Sequence, residues 1–233
     1  MRNDAKGYLL KEYGSWSVLT IAYLIGLGVS RSFSWQAIPV FLALCLLINS
    51  KQAFTKMIRR TGDRTSLAIF LGQMFIATII LLAVFNRDIP RLLPLLIFPA
   101  AYLVMSKIAG EHFVITEIMG FVLLSLAAVV AKFLVTGGLD VRLFVGVALY
   151  FTAGVFKIKV LLIRKTTDRI LTVLAVVIAA LAYHGMHLRL IILLPLLDNL
   201  VAAATLYRVK LKTTGWIEVV KSLLFLCLFM NYF

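Results

Sequence analysis

Eight polar or ionisable residues stand inside apolar runs of this sequence, and their types could do chemistry: Glu117, Lys132, Lys157, Lys159, Asp198 with its neighbour Asn199, Glu218 and Lys221. Carboxylates and ammonium groups held away from water can exchange protons, bind a cation or neutralise an anionic ligand. At the centre of a bilayer each such charge costs at least ~2.5 kcal/mol on the mildest scale, so these groups are expected to face the interior of a helical bundle. Glu218 and Lys221 are three residues apart, share one helix face and can pair. Glu117 follows Glu111 and His112 one turn into its apolar run, and Lys11 and Glu12 stand just before the first run. Together they predict a layer of mixed charge at one level of the protein, with Arg59, Arg60, Arg164 and Lys165 around it. Arginines and carboxylates in that arrangement suit the head group of an anionic lipid, a phosphate or a diphosphate.

Each feature also has a plainer reading. The loop arginines satisfy the rule that cytoplasmic loops are basic and they touch anionic lipid, with the acids as their counter-ions. Asp198 and Asn199 either bind a proton or cation or hydrogen-bond a neighbouring helix. Lys132, near the end of its run, can snorkel to the interface. Glu117 and Glu218 are different, because an acid one turn deep carries a desolvation cost that a loop position avoids.

The elements that must position these groups follow from composition. Of 233 residues, 62% are hydrophobic and 15% charged, and the mean hydropathy is +1.02. That is more apolar surface than one soluble core could hide, and it predicts an all-α, polytopic membrane bundle in a single domain. Applying the ~20-residue length rule, with ~17 tolerated, gives nine spans: 15–31, 34–50, 66–86, 91–107, 114–136, 142–162, 169–185, 188–207 and 216–232. With nine spans, one side collects seventeen of the twenty-four Lys and Arg residues, and the other collects Arg31, Arg87, Arg91, Arg142 and Arg189. That asymmetry places the N-terminus in the cytoplasm and the C-terminus outside, in a bacterial or archaeal cytoplasmic membrane.

Trp16, Trp35 and Trp216 fall at span starts, the depth indoles prefer. Pro39, Pro94, Pro99 and Pro195 predict kinks, and Gly26, Gly28, Gly146 and Gly154 allow close helix approach. Residues 51–65, with Lys56, Arg60 and Arg64 opposite Phe54, Met57 and Ile58, read as a short amphipathic helix on the cytoplasmic surface. The opening MRNDAKGYLLKEYGS is too polar for a signal peptide, so the first run is expected to remain. Cys45 and Cys227 lie in apolar runs as small hydrophobes. The positions of His112, His184 and His187 argue against a bis-histidine haem. No metal-ligand motif, nucleotide loop, nucleophile elbow or nucleic-acid motif is present, so no metal or nucleic acid is expected, and no cofactor is named.

Three stretches carry a resemblance. KEYGSW at 11–16, EHFVITEIMGF at 111–121 and GWIEVVKSLLF at 215–225 resemble segments of the YwiC-like membrane proteins, with Tyr13 where that family usually has His. This likeness implies a membrane fold and no particular activity. A more distant likeness is to UbiA-type prenyltransferases, which also have nine helices and a cytoplasmic cavity. Those enzymes hold Mg²⁺ on a diphosphate with two aspartate-rich motifs, whereas the corresponding loops here offer only Asp63 and Asp168 among bases. The resulting expectation is a lipid binder, for an isoprenoid or quinone, with Glu117, Glu218 and Lys221 inside a cytoplasmic-facing polar cavity. Lys11, Glu12, Arg59, Arg60, Glu111, His112, Arg164 and Lys165 would form its rim. The contrasting expectation is a non-enzymatic accessory subunit of a respiratory or transport assembly.

Overall fold

A computed structural model describes residues 12–59, 64–110, 113–207 and 211–233; the side chains of 58, 59, 163, 211 and 212 are outside that description. The chain runs α1 (Tyr13–Ser30), α2 (Ala37–Arg59), α3 (Arg64–Phe85), α4 (Ile89–Leu92), a 3-10 turn (Leu93–Leu96), α5 (Ile97–Ala109), α6 (Val114–Thr136), α7 (Val141–Ile163), α8 (Thr166–Gly185), a 3-10 segment (Leu190–Leu196), α9 (Leu197–Thr205) and α10 (Leu211–Tyr232). No strand occurs among the described residues. Eight helical stretches there are long and apolar enough to cross a membrane, α4 to α5 counting as one, and Leu190–Thr205 is a ninth, shorter one. Successive stretches alternate in direction. The end that holds Glu12, Glu117 and Arg164 is called proximal below, and the end that holds Arg31 and Asp140 distal.

The prolines act by position. Pro94 and Pro195 lie in the two 3-10 stretches, where the ring's clash with the preceding turn is relieved by tighter winding. Pro39 and Pro99 stand in the first turns of α2 and α5, where a missing N–H is better tolerated than further along a helix.

The centre of the bundle is α1, α6, α7 and α10, with α8, α9 and the second 3-10 segment packed on α7 and α10. Gly26 decides the first contact: a Cβ there would lie 2.1 Å from the Ala128 carbonyl oxygen, so only glycine lets α1 approach α6 this closely. An aromatic column fills the distal half of α10. Tyr150 stacks on Phe225 with centroids 3.6 Å apart, Phe229 packs against Phe225, and Tyr183 donates a 2.9 Å hydrogen bond to the Gly146 carbonyl. By contrast, only 6% of the residues in the most apolar stretch of α3 are fully buried, against 50% in α7, so away from its contact with α2 the helix presents an apolar surface outward. Polar all-round exposure would be required in water; an all-round apolar helix belongs in lipid.

Two sequence boundaries are corrected. Residues 51–59 are not a separate surface helix: they continue α2 without a break, because nothing between Asn49 and Arg59 interrupts helical winding. The last helix begins at Leu211 rather than 216. Lys212, Thr213 and Thr214 are polar enough to fail a hydropathy window yet carry no helix breaker, which leaves Trp216 inside α10 rather than at its start.

Candidate functional site

The second turn and beyond of three helices deliver four charges to one place. Lys157 lies six residues before the end of α7, Asp198 seven before the end of α9, and Glu218 seven after the start of α10. At 1.5 Å per residue each is about 9–10 Å below the proximal helix ends. The Lys157 ammonium donates to Asp198 Oδ2 and, at 2.5 Å, to Glu218 Oε1. Lys221, one turn further along α10, lies 3.1 Å from both Asp198 Oδ2 and Glu218 Oε1. It also donates to Asn199 Oδ1 at 2.6 Å, and Asn199 in turn donates to the Ala153 carbonyl at 3.1 Å. Two cations and two anions therefore balance, with the buried amide fixed between α7 and Lys221. Glu218 lies against Gly154 of α7, where a Cβ would sit at an ordinary contact distance of 3.9 Å from Glu218 Oε2.

The lysines of this quartet are buried, the Lys157 side chain entirely, whereas the Asp198 and Glu218 side chains keep 30% and 25% of their surface. The carboxylates thus form the accessible face. Tyr207, just beyond α9, donates to Asp198 Oδ1 at 3.3 Å; burial pushes its hydroxyl up from the ordinary value, which keeps it a donor. On α8, Arg169 donates through Nε to the Ala203 carbonyl at 2.6 Å and through Nη2 to that of Ala204 at 3.4 Å. A guanidinium on the last carbonyls of α9 satisfies its C-terminal end and complements its dipole.

The sequence-predicted residues divide accordingly. Glu218 and Lys221 pair as expected, at 3.1 Å. Glu117 does not join them: its partner is Lys159, at 2.8 Å. Lys157 and Lys159 are two residues apart, about 200° round the helix, so the two clusters lie on opposite sides of α7. Glu12 sits at the proximal end bound to Lys51 at 3.2 Å and to the Ser15 hydroxyl at 2.9 Å. Arg164 ends α7 in a left-handed conformation (φ 59°), and Lys165 caps the start of α8; both are exposed. Lys11, Arg60, Glu111, His112, Asp63 and the Arg59 side chain lie outside the described residues. Lys132 reaches past the end of its helix to Asp140 at 2.5 Å, with its ammonium 5.1 Å from the centre of the Phe233 ring.

What sequence reasoning missed is the bond between Lys157 and Asp198. The available signal was charge complementarity: Lys157, Asp198, Glu218 and Lys221 themselves sum to zero, and like depth would have followed from the helix starting at 211. A hollow of about 420 Å³ lies at the distal end instead, between α1 and α10, lined by Gly28, Arg31, Cys227, Met230 and Asn231. Among the described residues no three His, Cys, Asp or Glu side chains are grouped to hold a metal ion.

Nine apolar helical stretches, lipid-compatible outer faces and charges neutralised internally define an integral membrane protein of the helical-bundle class. Within that class the chain belongs to the YwiC-like protein family, whose profile matches residues 9–132. No curated protein and no solved structure matches the chain. The matched segment covers α1 to most of α6, so every residue of the quartet falls outside it.

Proposed function

We propose that the protein binds a membrane lipid, an isoprenoid or a related amphiphile, by its anionic head group at the proximal end of the bundle, and that this end faces the cytoplasm. The observation that carries this reading is the quartet: four charges inside an apolar bundle, with both lysines buried and both carboxylates partly exposed. Charges placed there cost several kcal/mol in total on any scale, and loop positions a few residues away would avoid that cost. A head group reaches Lys157 and Lys221, which supply the anion-binding charge, by displacing the Asp198 and Glu218 carboxylates that cover them, and Arg164 and Lys165 form the rim that draws an anion inward. Glu117 with Lys159 makes a second, shallower wall on the other side of α7, and Glu12 with Lys51 a third. The excess of Lys and Arg on the proximal side supports the orientation.

The test is native mass spectrometry of the full chain released from gentle detergent. The expected result is co-purified phosphate- or diphosphate-bearing lipid that is depleted in a Lys157→Met variant and retained in Lys159→Met. Equal lipid retention by both variants, with both folded, sinks the proposal.

A further inference from the structure

Resting on that reading, we infer that the quartet takes up one proton for each anionic head group it binds. The reason is charge balance. Lys157 and Lys221 are already matched by Asp198 and Glu218, so a monoanion brought against the lysines leaves one uncompensated negative charge in a bundle interior. Protonating the carboxylate pair, whose two acids touch both lysines, cancels it where it arises. On α7, Tyr150 is stacked on Phe225, and its phenol already carries its proton at neutral pH. After α9, Tyr207 is a donor to Asp198 and likewise neutral. On α8, Arg169 is fixed to backbone carbonyls of α9, and Asp168 stands beside it in the first turn. Towards α6, Lys159 is bound to Glu117 on the far side of the helix.

The proton has a place and a path. Asp198 and Glu218 share both ammonium groups, so the proton belongs to the carboxylate pair rather than to one acid. Both keep part of their surface exposed, and by that face the proton enters as the anion arrives and returns as it leaves. Binding and protonation are then reciprocal: lowering the pH strengthens binding, and ligand raises the affinity for the proton by the same factor.

The experiment uses the full chain in detergent with two probes whose phosphodiesters keep one charge from pH 6 to 8: dioctanoyl phosphatidylglycerol and a farnesyl methyl phosphodiester. Titration calorimetry at pH 7 in phosphate and in Tris reads proton uptake from the difference in enthalpy, and the expected value is about one proton per ligand. Affinity should weaken by about tenfold per pH unit between pH 6 and 8. Glu218→Gln, which mimics the protonated pair, should bind more tightly than the parent chain at pH 8 with uptake near zero, and Asp198→Asn should do the same.

Binding of either probe with no proton uptake and no pH dependence overturns the inference and leaves the head-group reading standing. Neutral farnesol showing the same pH dependence also overturns it, because uptake would then not follow the anion. Failure of both probes to bind at every pH overturns the head-group reading and the inference with it. The measurement on the parent chain decides the question even if a variant does not fold.

Discussion

Lys157 and Lys159 are neighbours on α7, yet one is wholly buried with two carboxylates and the other is 16% exposed with one. The same residue type, two positions apart, has become the centre of a network on one side of the helix and a boundary ion pair on the other. The difference lies in what packs against each side. Towards α9 and α10, Asn199 ties α9 to the Ala153 carbonyl of α7 and the Lys157 side chain is wholly buried, so charges must be matched internally. Towards the start of α6, Glu117 is only in the first turn, within reach of the membrane surface.

The largest expected effect therefore comes from Lys157. Lys157→Met leaves Asp198 and Glu218 facing a single ammonium inside the bundle, and breaking a buried pair this way costs about 3–5 kcal/mol. Thermal unfolding in detergent should show it as a large fall in midpoint. A Lys157→Met, Glu218→Gln double variant restores neutrality and should recover part of the loss, giving a coupling well outside additivity. If the single variant melts within a degree or two of the parent chain, the two sides of α7 do not differ as described.

How much of this contrast was readable from the sequence depends on which physical signal was needed. Span number and alternation follow from apolar run length alone: among the described residues eight of the nine runs are helices long enough to cross a membrane, and the other, Leu190–Thr205, is shorter. The Glu218–Lys221 pair follows from spacing within one helix. Contacts between distant helices need depth, and depth needs correct helix ends. Starting the last helix at 216 put Glu218 near the surface, level with Glu117, when it is seven residues inside α10. Ending the eighth span at 207 left Asp198 near mid-membrane, away from Lys157. Which side of α7 each lysine faces is set by packing, and periodicity in an almost wholly apolar helix carries little of that information.

The distal end supplies an intermediate case. Asp140 caps α7 by accepting from the Leu143 N–H at 2.9 Å and binds Lys132. Burial pushes its carboxyl up, but the Lys132 ammonium and the Leu143 amide outweigh burial and hold it below the usual carboxylate range. A depressed folded value means that its stabilisation is present above the unfolded pKa of about 4 and is lost as pH falls through the folded value. Asp140→Asn should thus cost about 1–2 kcal/mol near pH 7. The gap from the parent chain should close as the pH falls below about 4, in unfolding midpoints measured across that range. A gap that stays constant into acid would show that the carboxylate charge contributes nothing.

On the open side of α7, Glu117→Gln and Lys159→Met should each change stability by less than about 1 kcal/mol, the range of ion pairs near a surface. The effect should shrink further in high salt, while that of Lys157→Met should not. A salt-insensitive loss in Glu117→Gln comparable with that in Lys157→Met would erase the contrast from which these predictions start.

The smallest effect is expected at Glu12, and it tests the rule at its limit. Its carboxylate binds Lys51 across the proximal ends of α1 and α2 at 3.2 Å, but more than half of its side chain is exposed. Water solvates both partners nearly as well apart as together, and holding two flexible side chains in one geometry costs entropy. The Ser15 hydroxyl donates to the same carboxylate at 2.9 Å, and a glutamine oxygen can still accept it. Glu12→Gln should consequently shift the unfolding midpoint by no more than the scatter of replicate melts, about 0.5 kcal/mol or less. A loss as large as that at Asp140 would mean that the proximal end excludes water over α1 and α2 as thoroughly as between α7 and α10, and the polar region would then extend across the whole end of the bundle.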